Sequence, residues 1–122
     1  MADAENAPSD GEVEMLAVYG SLAPGEANHW VLSRIEGDWL QGTVFGHRFE
    51  ITWGPAEGYD GFILDPDGSE VPVWVLRSTQ LAEKWREIDE FEGEGYERLP
   101  VQITLAGGMA AIAQMYLART DS

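Results

Sequence analysis

Residues 81–98, LAEKWREIDEFEGEGYER, constrain this chain more than any other stretch. Leu81, Trp85, Ile88 and Glu92 recur at i, i+4, i+7 and i+11. On a helix these positions share one face. Three of the four are large and apolar, so that face should point into a core. The fourth is a carboxylate, standing where the next hydrophobic residue is expected. Loss of hydration favours the neutral acid, so burial there raises its pKa. Perturbed carboxylates gather at functional sites, although structural ion pairs also perturb them. The alternative is that the helix ends near Phe91 and Glu92 turns outward.

A helix with one apolar face needs partners. The 122 residues suit one compact domain, and 44% of them are hydrophobic, enough for a core. Met15 to Tyr19 reads as a buried first strand. The loop Gly20-Ser21-Leu22-Ala23-Pro24-Gly25 follows. Asn28 to Ile35 has the spacing of a short helix, with Asn28 as a possible cap. Trp39 to Phe49 reads as a strand, with Gly42 and Gly46 at bulges or close backbone approaches. Ile51 to Asp60 is mostly turn. Gly61 to Leu64 and Val71 to Leu76 read as strands about the turn Asp65 to Ser69, where Pro66 presets φ and Gly68 permits positive φ. Pro72 suggests a strand start, an edge or a bulge. Ser78 is suited to cap a helix beginning near Thr79, and Gly93 and Gly95 to terminate it. Leu99 to Leu105 and Met109 to Arg119 form a hairpin about Ala106-Gly107-Gly108. About six strands and one or two helices imply an α+β domain, its sheet curled or closed around the apolar helix.

Charge and composition exclude several functions. The net charge of -15 repels phosphate backbones, so neither nucleic acid nor an anionic membrane is an expected partner. Five acids and no bases fall in residues 1–14, which read as a disordered acidic tail; the domain then spans 15–119, and 120–122 form a second tail. No cysteine is present, which removes disulfides and thiol chemistry. The start of the chain lacks the basic and apolar regions of a signal peptide, and no apolar run reaches membrane-spanning length. A cytoplasmic protein is expected. His29 and His47 lack partners at metal-ligand spacing. Asp65, Asp67 and Ser69 begin like a calcium loop, but Glu70 holds the position that requires glycine. No phosphate-loop or dinucleotide fingerprint is present. Ser21 has no evident base for acyl-enzyme chemistry.

Two motifs combine. Tyr19-Gly20-Ser21-Leu22, followed by Ala23-Pro24-Gly25 and Asn28-His29, ends the first strand. Far downstream stands Ile88-Asp89-Glu90-Phe91-Glu92-Gly93-Glu94-Gly95-Tyr96-Glu97-Arg98. In this order and spacing they resemble the gamma-glutamylcyclotransferase-like family, in particular its small bacterial and plant branch, which is similar to gamma-glutamylamine cyclotransferase. The resemblance covers Met15 to Arg119. It implies a small β-barrel of about five to six mostly antiparallel strands, with one or two helices packed around a cavity. It implies an intramolecular reaction, in which the α-amine of a γ-glutamyl group attacks its own γ-carbonyl. The products are 5-oxoproline and a free amine. Glu92 then resembles the general acid/base. Tyr19, Gly20, Ser21 and Leu22 resemble the loop that grips the glutamyl moiety, and Tyr96 and Tyr116 the cavity tyrosines. No metal or other cofactor is implied; the partner is a small γ-glutamyl substrate. Val73 departs from the pattern, because relatives often carry glycine after the Val-Pro pair. A bulkier side chain there narrows the cavity or reshapes a strand.

The residue types suit that chemistry. An ordinary glutamate at about 4.3 lies roughly 4 units below a peptide amine, so proton transfer from the ammonium costs about 5 kcal/mol. Burial that lifts the carboxyl to roughly 6–7 removes about 3 kcal/mol of this. A tight loop after a strand can present N–H groups to a carboxylate or a developing oxyanion. Two other classes remain open. One is a non-catalytic module that binds an amino-acid-like ligand on the same fold. The other is an interaction domain that uses the acidic surface.

Overall fold

The computed structural model describes residues 13–20 and 22–119. Its six strands are β1 (Glu14–Val18), β2 (Asp38–Glu50), β3 (Asp60–Leu64), β4 (Ser69–Ser78), β5 (Tyr96–Leu105) and β6 (Ala110–Ala118). One α-helix, α1 (Trp85–Glu92), lies between β4 and β5. β1 starts at Glu14, inside the stretch expected as tail, and the Glu14 carboxylate accepts the Trp85 Nε1 hydrogen at 2.8 Å. The remainder of that expected tail, and 120–122, lie outside the described residues.

The strands run in the order β3-β2-β4-β1-β6-β5, and β5 returns to β2 through Gly42↔Leu105 and Thr43↔Thr104. Five strands therefore close into a barrel, and β3 pairs outside it with the far end of β2. The pairings are antiparallel except β1 with β6, which is parallel. Closure is helped by Gly42, whose place a Cβ would fill 2.9 Å from the Thr104 carbonyl oxygen. Gly46 is likewise pressed against Ile63 and Phe62. Both glycines are points of close approach, as their place in a long strand suggested.

Alternation along the strands divides the apolar residues into two clusters. Ala17, Val44, Val73, Val75, Ile103 and Met115 fill the barrel with Phe62 from β3. Leu16, Val18, Leu76 and Tyr116 face the other way and pack against Leu22, Leu32, Ile35, Leu81 and Ile88. The helix therefore lies on the outer face of the barrel, and the sheet does not close around it. A barrel this narrow has room only for its own side chains.

The expected helix from Thr79 is broken. Ser78 Oγ accepts the Gln80 N–H at 2.9 Å and donates to the Glu36 carbonyl, so it caps a turn. A 3-10 segment, Leu81–Glu83, precedes α1. Leu81 and Ile88 are nonetheless 0% and 1% exposed, so the apolar face survives the change of winding. Gly93, at φ 82°, stops α1 directly after Glu92. The expected helix over 28–35 is a chain of turns around a single 3-10 segment, His29–Val31, without a side-chain cap from Asn28. The hairpin after Leu105 forms as expected, with Gly107 and Gly108 at φ 100° and 98°.

Candidate active site

The site opens where two strands part. β1 pairs with β4 only as far as Val18↔Trp74, whereas β4 has already run alongside β2 from Ser69. Pro72 stands in this stretch, which β2 accompanies and β1 does not reach. The chain leaves β1 at Tyr19 and Gly20 and turns back, with the Ala23 N–H on the Gly20 carbonyl at 3.0 Å. Leu22 and Ala23, 4% and 6% exposed, anchor the loop in the outer cluster. His29 Nδ1 donates to the Leu22 carbonyl at 3.0 Å while its ring packs against Trp39, tilted by 55°. That histidine pins the loop.

A cavity of about 1150 Å³ occupies the gap. Tyr19, Gly20, Leu22, Glu92, Tyr96 and Tyr116, all singled out from sequence, line it together. Ser21 lies outside the described residues. Glu92 is the last residue of α1 and is half-buried. Burial alone pushes its carboxyl up to about 7.

The tyrosines are tied to three different parts of the molecule. Tyr19 Oη donates to the backbone carbonyl of Tyr116 at 2.7 Å. Tyr96 Oη donates to the backbone carbonyl of Asp60, also at 2.7 Å. Tyr116 Oη donates to Asp89 Oδ1 at 2.6 Å. Burial and the neighbouring Glu92 charge push Tyr96 up to about 12. Tyr19 and Tyr116 are driven further in the same direction, chiefly by burial. All three are neutral phenols at physiological pH.

Four residues around the site, Asp89, Arg98, Arg48 and Asp60, were assigned no role from the sequence, although Asp89 and Arg98 stand within the downstream motif. Burial pushes the Asp89 carboxyl up, but Arg98 and the Tyr116 hydroxyl outweigh it and hold Asp89 below the usual carboxylate range. Arg98 Nε and Nη2 reach the two Asp89 oxygens at 2.8 and 3.2 Å, and Nη1 donates to Gln114 Oε1 at 3.1 Å. Its guanidinium lies 4.4 Å from the Trp85 ring centre. Arg48 is ion-paired with Asp60, and both line the cavity. Asp89 was legible in part, since it stands one turn before Glu92 on the same helix. The Arg48–Asp60 pair joins β2 to β3 across a turn, and no local pattern announces it. Val73 is 4% exposed, stands opposite Gly42 and is one of the residues that line the cavity. β4 stays in register there, so the strand is not reshaped.

Among the described residues no three histidine or acidic side chains gather as a metal site requires, and no helix is long and apolar enough to cross a membrane.

The fold and site together define a small closed barrel with the half-buried Glu92 and the phenols of Tyr19, Tyr96 and Tyr116 around a cavity at a strand-end loop. Residues 16–122 match the family described as gamma-glutamyl cyclotransferase, AIG2-like, and the chain belongs to it. No curated protein sequence matches the chain. Among solved structures, an Arabidopsis thaliana protein superposes with a TM-score of 0.66 at 22% identity, over 93% of this chain and 66% of the other. An AIG2-like protein from Mus musculus gives 0.65 at 21%, over 90% and 80% of the two chains. The Bacillus subtilis protein YkqA gives 0.67 at 23%, over 88% of this chain but 36% of its own. These likenesses establish a shared fold.

Proposed function

We propose that the protein is a gamma-glutamylcyclotransferase-type enzyme. It converts a γ-glutamyl amine or γ-glutamyl amino acid into 5-oxoproline and a free amine. The observation that carries this reading is Glu92, half-buried among neutral phenols with its pKa raised to about 7.

The substrate binds with its α-amine as an ammonium. Against a peptide amine near 8, a carboxyl at about 7 leaves only about 1 unit to climb, roughly 1–1.5 kcal/mol. Glu92 takes one proton, and the freed lone pair attacks the γ-carbonyl carbon as the π pair moves onto oxygen. Glu92 delivers that proton to the leaving nitrogen as the tetrahedral adduct collapses. The ring nitrogen's remaining surplus proton follows the same route. The lactam nitrogen keeps one hydrogen, and the amine departs protonated. One carboxylate thus serves as base and then acid, with no covalent intermediate.

The Tyr19–Leu22 loop grips the glutamyl moiety, holding amine and carbonyl in attack geometry, which supplies much of the advantage of a ring closure. The cytoplasm is the compartment this reading assigns, with the absence of cysteine in its support.

The test is 5-oxoproline release from a panel of γ-glutamyl compounds by wild type and Glu92→Gln. The expected result is turnover by wild type and a loss of at least a hundredfold, on the order of a removed acid–base group, in the variant. Equal turnover by the two proteins excludes Glu92 as the base.

A further inference from the structure

Counting hydrogens on the three phenols beside Glu92 gives that part of the cavity wall a definite polarity. A phenol has one hydrogen and donates once. The Tyr19 and Tyr96 hydroxyls each face a backbone carbonyl, which has no hydrogen to offer in return. The Tyr116 hydroxyl faces Asp89, which Arg98 keeps ionised and therefore acceptor-only. In all three contacts the phenol must be the donor. None of the three has a hydrogen left for a ligand, and what each offers the cavity is an oxygen lone pair. Glu92 adds a carboxylate to the same wall. Arg48 is the one cationic side chain among the described lining residues, and it is paired with Asp60.

A ligand group that satisfies such a wall brings hydrogens and no lone pairs. A primary ammonium, with three N–H donors and a positive charge, meets that demand; a carboxylate or an oxyanion does not. We propose that Tyr19, Tyr96 and Tyr116 form, with Glu92, an acceptor-only pocket for the substrate's α-ammonium. This assignment rests on the cyclotransferase reading and deepens it. The pocket also orients the nucleophile. After Glu92 has taken one proton, the amine keeps two N–H bonds. Phenol oxygens hold both, so the lone pair is left pointing away from the wall, towards the γ-carbonyl. The phenols themselves gain and lose no proton. The α-carboxylate and the carbonyl oxygen are left to groups elsewhere in the cavity, such as the strand-end loop.

Two probes separate an acceptor role from any other. L-methionine sulfone carries the α-amine and replaces the γ-carbonyl with an unreactive sulfonyl group. 4-(Methylsulfonyl)butanoate is the same molecule without the amine. Their affinities for the full chain are measured by calorimetry at pH 8, where Glu92 is ionised. Wild type is expected to prefer the amine-bearing probe by at least tenfold. Tyr19→Phe, Tyr96→Phe and Tyr116→Phe are each expected to cut that preference by about tenfold, on the order of one hydrogen bond to a charged group. The ratio is insensitive to partial misfolding, which removes both affinities alike. A ratio that falls in at least two variants supports the proposal. A ratio that falls in fewer, or a wild type with no preference, overturns it. Release of 5-oxoproline by wild type is read separately, so the cyclotransferase reading stands or falls on its own measurement.

Discussion

Glu92 ionises at a cost, and that cost has a sign. Its folded pKa of about 7 lies above the ordinary 4.5. Between those values the folded chain binds more protons than the unfolded one, so stability falls as pH climbs through the window. Above about pH 7 the full penalty is present, on the order of 3 kcal/mol for a shift of this size. Glu92→Gln should therefore denature at a higher urea concentration than wild type at pH 8, with the difference vanishing near pH 4. A difference that persists at pH 4 would mean the side chain's packing, and not its charge, sets the effect. This carboxylate was legible in the sequence because helical spacing placed it on the apolar stripe of Leu81, Trp85 and Ile88. The direction of each tyrosine's hydrogen was not. It depends on carbonyls and a carboxylate at separations of 97, 36 and 27 residues, which no local pattern encodes.

At the scale of elements, α1 is short, and eight residues of helix are not stable alone. Packing and side-chain ties hold it. Leu81 and Ile88 sink into the outer cluster. Arg98 binds Asp89, Gln114 and the face of Trp85, and so fastens the helix to β5 and β6. Arg98→Ala should cost about 1–3 kcal/mol in urea denaturation, from one bidentate ion pair and one cation–π contact. The same variant should lower 5-oxoproline release, because Asp89 holds Tyr116 and lies one turn from Glu92. The expected single helix from Thr79 failed for a related reason. Spacing reports which face is buried, and Leu81 is buried in either winding. The switch from 3-10 to α comes from tertiary contacts, including the bond from Ser78 to the distant Glu36 carbonyl. The strands were easier to read, because alternation and turn residues are local, and the Gly107-Gly108 hairpin needed nothing beyond them.

For the molecule as a whole, 22 acids face 7 bases, and the described ion pairs lie mostly at the surface. Exposed pairs contribute little, so net self-repulsion dominates the response to salt. About 0.5 M sodium chloride should raise the thermal midpoint at pH 8, since it shortens the screening length to a few ångströms. A lowered midpoint would mean that the ion pairs outweigh the repulsion. Closure of the barrel was one of two arrangements the pattern allowed, and the family resemblance chose it; where the helix sits was misread. Pattern alone left the sheet curled or closed around the helix, because hydrophobic alternation identifies two faces without saying which one becomes the inside.

A free hydroxyl spins about its bond and greets donor or acceptor as the visitor requires. Tyr19, Tyr96 and Tyr116 have each spent that freedom on a partner in β6, at the head of β3 and in α1. The hollow beside Glu92 therefore holds its electrical character while empty. None of these three rotors can swing round for the wrong guest, and a molecule that presents lone pairs to them meets only more lone pairs.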